Sequence, residues 1–394
     1  MDESQKNHLK AYGIAYWSLA RNEELQWLLN YKGGSFLCPD SPSFEKECTI
    51  RGVTFEVLDD ASAGLILAQV ASPEANTDVV KLQKAPRIAV YTPKNKLPWD
   101  DAVTLVLTYA EIPYDKIYDE QVLDGKLPLY DWLHLHHEDF TGQYSRFYAA
   151  FHTAAWYQED VRVNEKMAKA RGFTKVSEMK KAVVMKMRDF TAGGGFLFAM
   201  CCGADTYDIA LSAQNVDICE SIFDGDAEDP NAQSKLNFGN CFAFQNFILD
   251  QNPLSPEFST INTSPYVRQV DQRNDVFTLF QFSAKYDPVP CMLTQNHLRV
   301  IPGFMGKTTA FRKETIKPGV LIMGENNALN EARYIHGEFG KGTWTFYSGH
   351  DPEDYQHQIG DPPTDLNLHP NSPGYRLILN NVLFPAAKKK KQKT

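Results

Sequence analysis

The stretch Gly193-Gly194-Gly195-Phe196-Leu197-Phe198-Ala199-Met200-Cys201-Cys202-Gly203-Ala204-Asp205 decides the fold. Three glycines end the helix expected over 176–191 and let the chain turn. The apolar run 196–200 then reads as a buried strand, and a helix follows over about 204–212. A strand that turns tightly into a helix exposes its turn residue. It also aims a helix N-terminus there, which favours a thiolate and a developing oxyanion. Cys201 stands at that turn, and Gly203 leaves room for close approach. The same residues also fit a buried strand that ends in two inert cysteines.

Outward from this unit the chain alternates helices and strands, an α/β pattern. Strands are expected at 25–31, 53–58, 87–91, 117–118 and 130–136, and helices at 5–20, 41–49, 61–71 and 99–111. Residues 73–84 are polar and read as a linker, 144–157 as helical, and 158–175 as charged surface structure. From 215 to 310 Pro, Asn, Asp and aromatic residues dominate, with strands expected only at 276–282 and 297–301. A buried strand at 319–324, a hairpin over 332–348 and a helix over 373–383 close the chain. The expected organisation is an N-terminal α/β segment (1–84) packed on or continuous with the core, a core of 85–214 plus 311–385, a loop-rich insertion at 215–310, and a disordered basic tail at 386–394.

Composition excludes several classes. Of 40 basic residues, five lie between Lys388 and Lys393, which leaves 35 against 49 acidic ones in the body. An acidic body argues against nucleic-acid binding. Hydrophobic residues make up 43% and charged residues 23%, as in a folded globular protein. No apolar run is long enough for a membrane helix, and no signal peptide opens the chain. Seven irregularly spaced cysteines exclude a dense disulfide scaffold, and the lack of a CxxC pair gives a Cys-based structural zinc site little support. The implied partner is a small-molecule substrate or ligand. The oligomeric state is not legible.

Two further constellations carry chemistry. His350, in Ser348-Gly349-His350-Asp351-Pro352-Glu353, follows an apolar strand, where α/β proteins place functional groups. It is a candidate base, with Glu353 or Asp351 to orient it; the same residues also make a good helix start. The run Trp132-Leu133-His134-Leu135-His136-His137-Glu138-Asp139 also ends a strand. His136, His137 and Glu138 read as a substrate-contacting loop beside the nucleophile. His134, His136 or His137 with Glu138 and a distant ligand such as His350 would make a zinc site, but spacing fixes no third ligand, so no metal or cofactor is assigned.

Ala199-Met200-Cys201-Cys202-Gly203 resembles the Gly-x-Cys-x-Gly nucleophile elbow of class I glutamine amidotransferase-like proteins, and the His350 loop resembles that family's His-x-Glu element. The resemblance covers 85–212 and 318–384. It implies a flavodoxin-like three-layer sandwich with a mostly parallel sheet, Cys201 as nucleophile and His350 as base. Ala199 replaces the first elbow glycine, and Glu353 lies three rather than two residues after His350. The whole chain is similar to bacterial proteins labelled asparagine synthetase B, on the phrases NHLKAYGIAYW (7–17), WLLNYKGGSF (27–36) and LHHEDFTGQY (135–144). Residue 2 is Asp rather than Cys and no Ser-Gly-Gly-x-Asp-Ser phosphate loop occurs, so ATP-dependent asparagine synthesis is not expected. Similar proteins carry an extra N-terminal strand after an export signal. As it stands the chain reads as cytoplasmic, and as periplasmic or exported if such a segment precedes it.

These readings converge on a Cys-dependent amide hydrolase with Cys201 as nucleophile, His350 as base, Glu353 as third member, and the N–H groups of Cys202 and Gly203 as oxyanion donors. The alternative is a non-catalytic protein on the same fold, holding a small ligand such as a carbohydrate with Trp132, His136, His137 and Glu138.

Overall fold

The computed structural model describes residues 1–95, 97–263, 268 and 270–387. It is a mixed α/β structure built on one large sheet. Strands β1 (Leu25–Leu29), β2 (Ser35–Leu37) and β3 (Asp78–Leu82) form a small antiparallel sheet in the order β2-β1-β3. The large sheet holds β4 (Ile88–Tyr91), β5 (Asp115–Ile117), β6 (Trp132–Leu135), β7 (Phe196–Met200), β8 (Val276–Leu279), β9 (Val300–Pro302), β10 (Phe311–Arg312), β11 (Leu321–Asn326), β12 (Glu331–Phe339) and β13 (Gly342–Tyr347). Its order is β5-β4-β6-β7-β13-β12-β11-β8-β9, with β10 on β12. The five strands from β5 to β13 are mutually parallel; beyond β13 the pairings are antiparallel.

The central parallel strands β4, β6 and β7 are apolar on both faces apart from His134, as strands covered on both sides tend to be; the edge strand β5 is polar. Ile88, Val90, Trp132, Phe198 and Met200 pack on one face with the N-terminal helix and the helix Pro373–Leu383. Ala89, Tyr91, Leu133, Leu135, Leu197 and Ala199 pack on the other with the helices Val176–Gly193 and Cys202–Ser212. Period-two alternation along each strand sorts these side chains.

Several expectations change. The first helix is His8–Ala20, capped by Asn7, whose side chain accepts from the Lys10 N–H. Residues 53–58 form no strand: Thr54 bonds the Gln5 side chain rather than a neighbouring strand, and Phe55 and Val57 stay exposed. The expected linker contains β3, which pairs with β1 along its whole length. The helix expected over 144–157 breaks, since Tyr144, Ser145 and Arg146 all have positive φ; the long helix is Ala155–Ala170, in the segment read as surface structure. Ala386 and Ala387, expected in the tail, close onto the small sheet, where Ala387 bridges Leu82. The rest of that tail, 388–394, lies outside the described residues. The loop-rich segment supplies β8 and β9 to the edge of the large sheet. No helix among the described residues is long and apolar enough to cross a membrane.

Candidate active site

In open parallel sheets, ligands bind beyond the carboxyl ends of the strands where the strand order reverses. Here β4 connects outward to β5 while β6 connects the other way to β7, so the crevice lies between the loops after β4 and β6. The first carries Trp99, Asp100 and Asp101; the second carries His136 to Asp139.

Cys201 is the N-cap of the helix Cys202–Ser212, with φ 51° and ψ −143°. That region is close to glycine-only and costs about 1–3 kcal/mol for a side-chain-bearing residue. Neighbouring backbone holds it there. The Cys201 N–H donates to Gly349 O at 3.2 Å, and the Gly203 N–H donates to His136 O at 2.7 Å. A Cβ on Gly203 would sit 2.5 Å from that oxygen. Gly203 therefore lets the loop after β6 press on the helix. This corrects the expected oxyanion pair, because the Gly203 N–H is occupied. The Cys202 N–H, in the first helical turn, needs no partner within the helix and can face substrate.

Two imidazoles, His137 and His350, bracket the Cys201 thiol. A hydrogen bond from the Cys202 thiol, then those from the two imidazoles, hold Cys201 well below its ordinary range against the effect of burial. Cys202 is pushed up by its hydrogen bond to Cys201 and by burial; its Sγ also lies 2.9 Å from His137 O, which competes for its one S–H proton. Burial works to lower His137, but its hydrogen bond to Cys201 and that charge contact raise it overall. Its Nε2 bonds the Asp100 carbonyl at 2.8 Å. Burial and then the charge of His137 push His350 well down.

The rings form a continuous cluster: His136 and His137 stack at 3.8 Å, His137 and His350 lie 4.3 Å apart, and His350 and His357 stack at 3.6 Å. Asp101 anchors its near end. One oxygen caps the helix Ala102–Tyr109 through the Thr104 N–H at 2.8 Å, and the other lies 3.3 Å from both His134 Nε2 and His136 Nδ1.

Glu353 is not in this cluster. Its carboxylate pairs with His369 Nδ1 at 2.9 Å, so it does not orient His350. Asp351 accepts from Thr364 Oγ1 at 2.7 Å. Glu138 turns away from the thiol, accepting from Tyr118 Oη at 2.9 Å and lying 3.9 Å from Lys180 Nζ; burial raises it to about 7. It borders a narrow cavity of about 30 Å³, whose walls include His137, Trp99, Phe147, Trp156 and Lys180. Trp132 is core, stacked on Phe198. Asp100, Asp101, His357 and Lys180 went unseen in the sequence. Two adjacent aspartates at the end of the loop after β4, one of them capping a helix, were the available signal; His357 offered none, because only the fold folds its loop back.

Three donor sets bring at least three ligand atoms within 4.8 Å here: His136/His137/His350, Asp100/His350/His357 and Asp101/His134/His136. No protein-family model matches the sequence, and no curated protein matches it. Among solved structures, the chain is similar to the cytoplasmic protein STM3548 from Salmonella typhimurium (10% identity, TM-score 0.35, 77% of this chain and 100% of that one). It is similar to the cytoplasmic protein STM1381 from Salmonella typhimurium LT2 (12% identity, TM-score 0.38, the same coverage). It is also similar to Gan42B, a GH42 beta-galactosidase (11% identity, TM-score 0.30, 68% of this chain and 28% of that one). These similarities are too low to carry a fold or an activity over to this chain.

Proposed function

We propose that this chain is a class I glutamine amidotransferase-like protein whose Cys201 is the nucleophile of a Cys-dependent amide hydrolase for a small polar substrate. The observation that carries the reading is the Cys201 backbone, held at φ 51° between β7 and a helix N-terminus. Strain of this kind persists only where surrounding structure enforces it, and it aims the side chain out of the turn. The strand order supports a flavodoxin-like core: the five parallel strands, numbered along the chain, lie in the order 2-1-3-4-5.

In this mechanism the Cys201 thiolate adds to the amide carbonyl carbon. The Cys202 N–H faces the oxygen that gains charge. The His137 imidazole, fixed by the Asp100 carbonyl, gives its proton to the departing nitrogen. Water then cleaves the acyl thioester, and the same imidazole takes up the proton. His137 replaces His350 as proton carrier because its second nitrogen is already anchored.

A limiting iodoacetamide reaction near neutral pH, mapped by mass spectrometry, tests this. Cys201 is expected to react first, Cys201→Ala to remove the fast phase, and Cys202→Ala to leave it. Even labelling across the seven cysteines, or Cys202 first, sinks the proposal. A second reading, a non-catalytic protein that holds a small ligand such as a carbohydrate, would use the aromatic side chains Trp99, Phe147 and Trp156, and it requires their cavity to open well beyond its about 30 Å³. In that case Cys201→Ala leaves ligand binding unchanged.

A further inference from the structure

We infer that Asp100, His350 and His357 form a binding site for a divalent transition-metal ion, with zinc as the ion best suited to two imidazoles and one carboxylate. One donor atom from each lies within 4.8 Å of the others. The donors are among the orphans of this region, which also include both ring nitrogens of His136. Both carboxylate oxygens of Asp100, Nε2 of His350 and Nε2 of His357 are buried and make no hydrogen bond among the described residues. A buried polar atom left unpaired costs about 1–3 kcal/mol, and four in one neighbourhood call for a shared partner; the His350 and His357 rings stack at 3.6 Å, so one of them must turn to put both nitrogens on one ion.

The second ring nitrogen explains why these lone pairs face inward. His357 Nδ1 lies 3.2 Å from Asp354 Oδ2, which fixes the proton on Nδ1 and leaves Nε2 as a lone pair. A carboxylate behind an imidazole is the usual outer support of a metal ligand. His350 turns its other edge toward Cys201 and is backed by Gly306, where a Cβ would come within 3.0 Å of the His350 Cβ. Asp100 is tied down through its own carbonyl, which accepts from His137. Asp100 Oδ1 and His357 Nε2 stand 3.7 Å apart. Two donors held tetrahedrally at zinc distances stand about 3.3 Å apart, so a small closure suffices.

The neighbouring sets fit less well. His136, His137 and His350 bring no carboxylate, and His137 has spent one nitrogen on Asp100. In the Asp101 set the acid already serves two imidazoles and a helix cap. The acids Asp217, Asp224 and Asp226 already surround the Lys175 ammonium.

The inference stands apart from the role of Cys201, so its test is binding, not activity. Chelator-treated full-length chain is titrated with zinc by calorimetry and with cobalt(II) by visible spectroscopy, with circular dichroism to confirm folding. The expected result is one ion per chain, affinity lowered ~10–100-fold or more in Asp100→Asn and His357→Gln, and wild-type affinity in Cys201→Ala and His369→Ala. The cobalt spectrum should lack a thiolate charge-transfer band. Three results overturn the site: no saturable zinc or cobalt binding, wild-type affinity in both ligand variants, or a thiolate band lost in Cys201→Ala, which would place the ion on the cysteine. Iodoacetamide reactivity of the metal-free chain is read separately, so failure of either idea leaves the other measurable.

Discussion

At the residue scale, Cys201 combines strain with chemistry, and the two separate by mutation. Alanine keeps the Cβ that makes φ 51° costly; glycine removes it. Cys201→Gly should therefore be more stable than Cys201→Ala by about 1–2 kcal/mol in urea unfolding, although both lack the thiol. Equal stability would mean that the turn is unstrained. Glu138 offers a pH prediction. Lys180, Tyr118, Asp119 and Asp160 surround it, and burial raises it from 4.5 to about 7. Between those values the unfolded chain is ionised here while the folded chain holds the proton, so the stability tied to the neutral form falls as pH rises through about 7. Glu138→Gln cannot ionise. Its stability relative to wild type should thus rise, by on the order of 3 kcal/mol, from pH 4.5 to pH 8. A flat difference across that range would contradict the burial argument. The cysteine was legible from its glycines and flanking strand, and His137 from its place at a strand end. The Glu353 role was not, because its partner His369 is set by the fold and not by spacing.

At the scale of elements, the helix Cys202–Ser212 does more than present a nucleophile. Its Asp208 carboxylate accepts from the N–H groups of Phe242, Ala243 and Phe244 at 2.7, 2.7 and 2.9 Å, clamping the long loop segment onto the core. Even with three donors, burial raises Asp208 to about 6. Asp208→Ala would orphan three buried donors and should cost about 3–5 kcal/mol. Limited proteolysis should then cut inside 215–275 at concentrations that spare the wild type. Protection equal to wild type would show that the Arg146 bonds to Glu220, Asp250 and Glu257 hold the segment alone. The helix Pro373–Leu383 matched its expected bounds because Ser372 and Pro373 mark its start. The run at 53–58 alternates like a strand but pairs with none, whereas β3 carries Val79, Val80 and Leu82 inside an otherwise polar stretch that hid them, and pairs with β1 through its backbone. Backbone pairing between distant segments leaves little trace in side-chain pattern.

At the scale of the whole molecule, the question is whether the N-terminal segment is a separate unit. Its helix packs into the same core as the large sheet: Leu9, Tyr12 and Trp27 share one cluster with Ile88, Val90, Tyr334 and Leu379. Tyr12 bonds Asn380, and Arg376 donates to the carbonyl of Met1 at 2.8 Å. The parallel half was legible because short apolar strands separated by helices are a local signal. In the antiparallel half the strands and the hairpin β12–β13 were legible, but the pairing of β8, β9 and β11 was not, since they meet across long stretches of sequence. Gly13 gives the sharpest test of a shared core. A Cβ there would lie 1.9 Å from the Ala110 carbonyl oxygen, so the helix His8–Ala20 approaches the helix after β4 as closely as only glycine allows. Gly13→Ala gains helix propensity, worth ~1 kcal/mol in an open helix, yet must push two packed helices apart at a cost of about 1–3 kcal/mol or more. A net loss is expected, because the clash is with backbone and cannot be relieved by a rotamer change. If the segment and the sheet share one core, the loss should lower the midpoint of a single thermal transition, seen alike by tryptophan fluorescence and far-ultraviolet circular dichroism. An independent segment would give an early transition that moves in Gly13→Ala and a later one that does not. That second outcome would also matter for the site, because the helix pressed by Gly13 begins at Asp101, whose carboxylate sits beside His134 and His136.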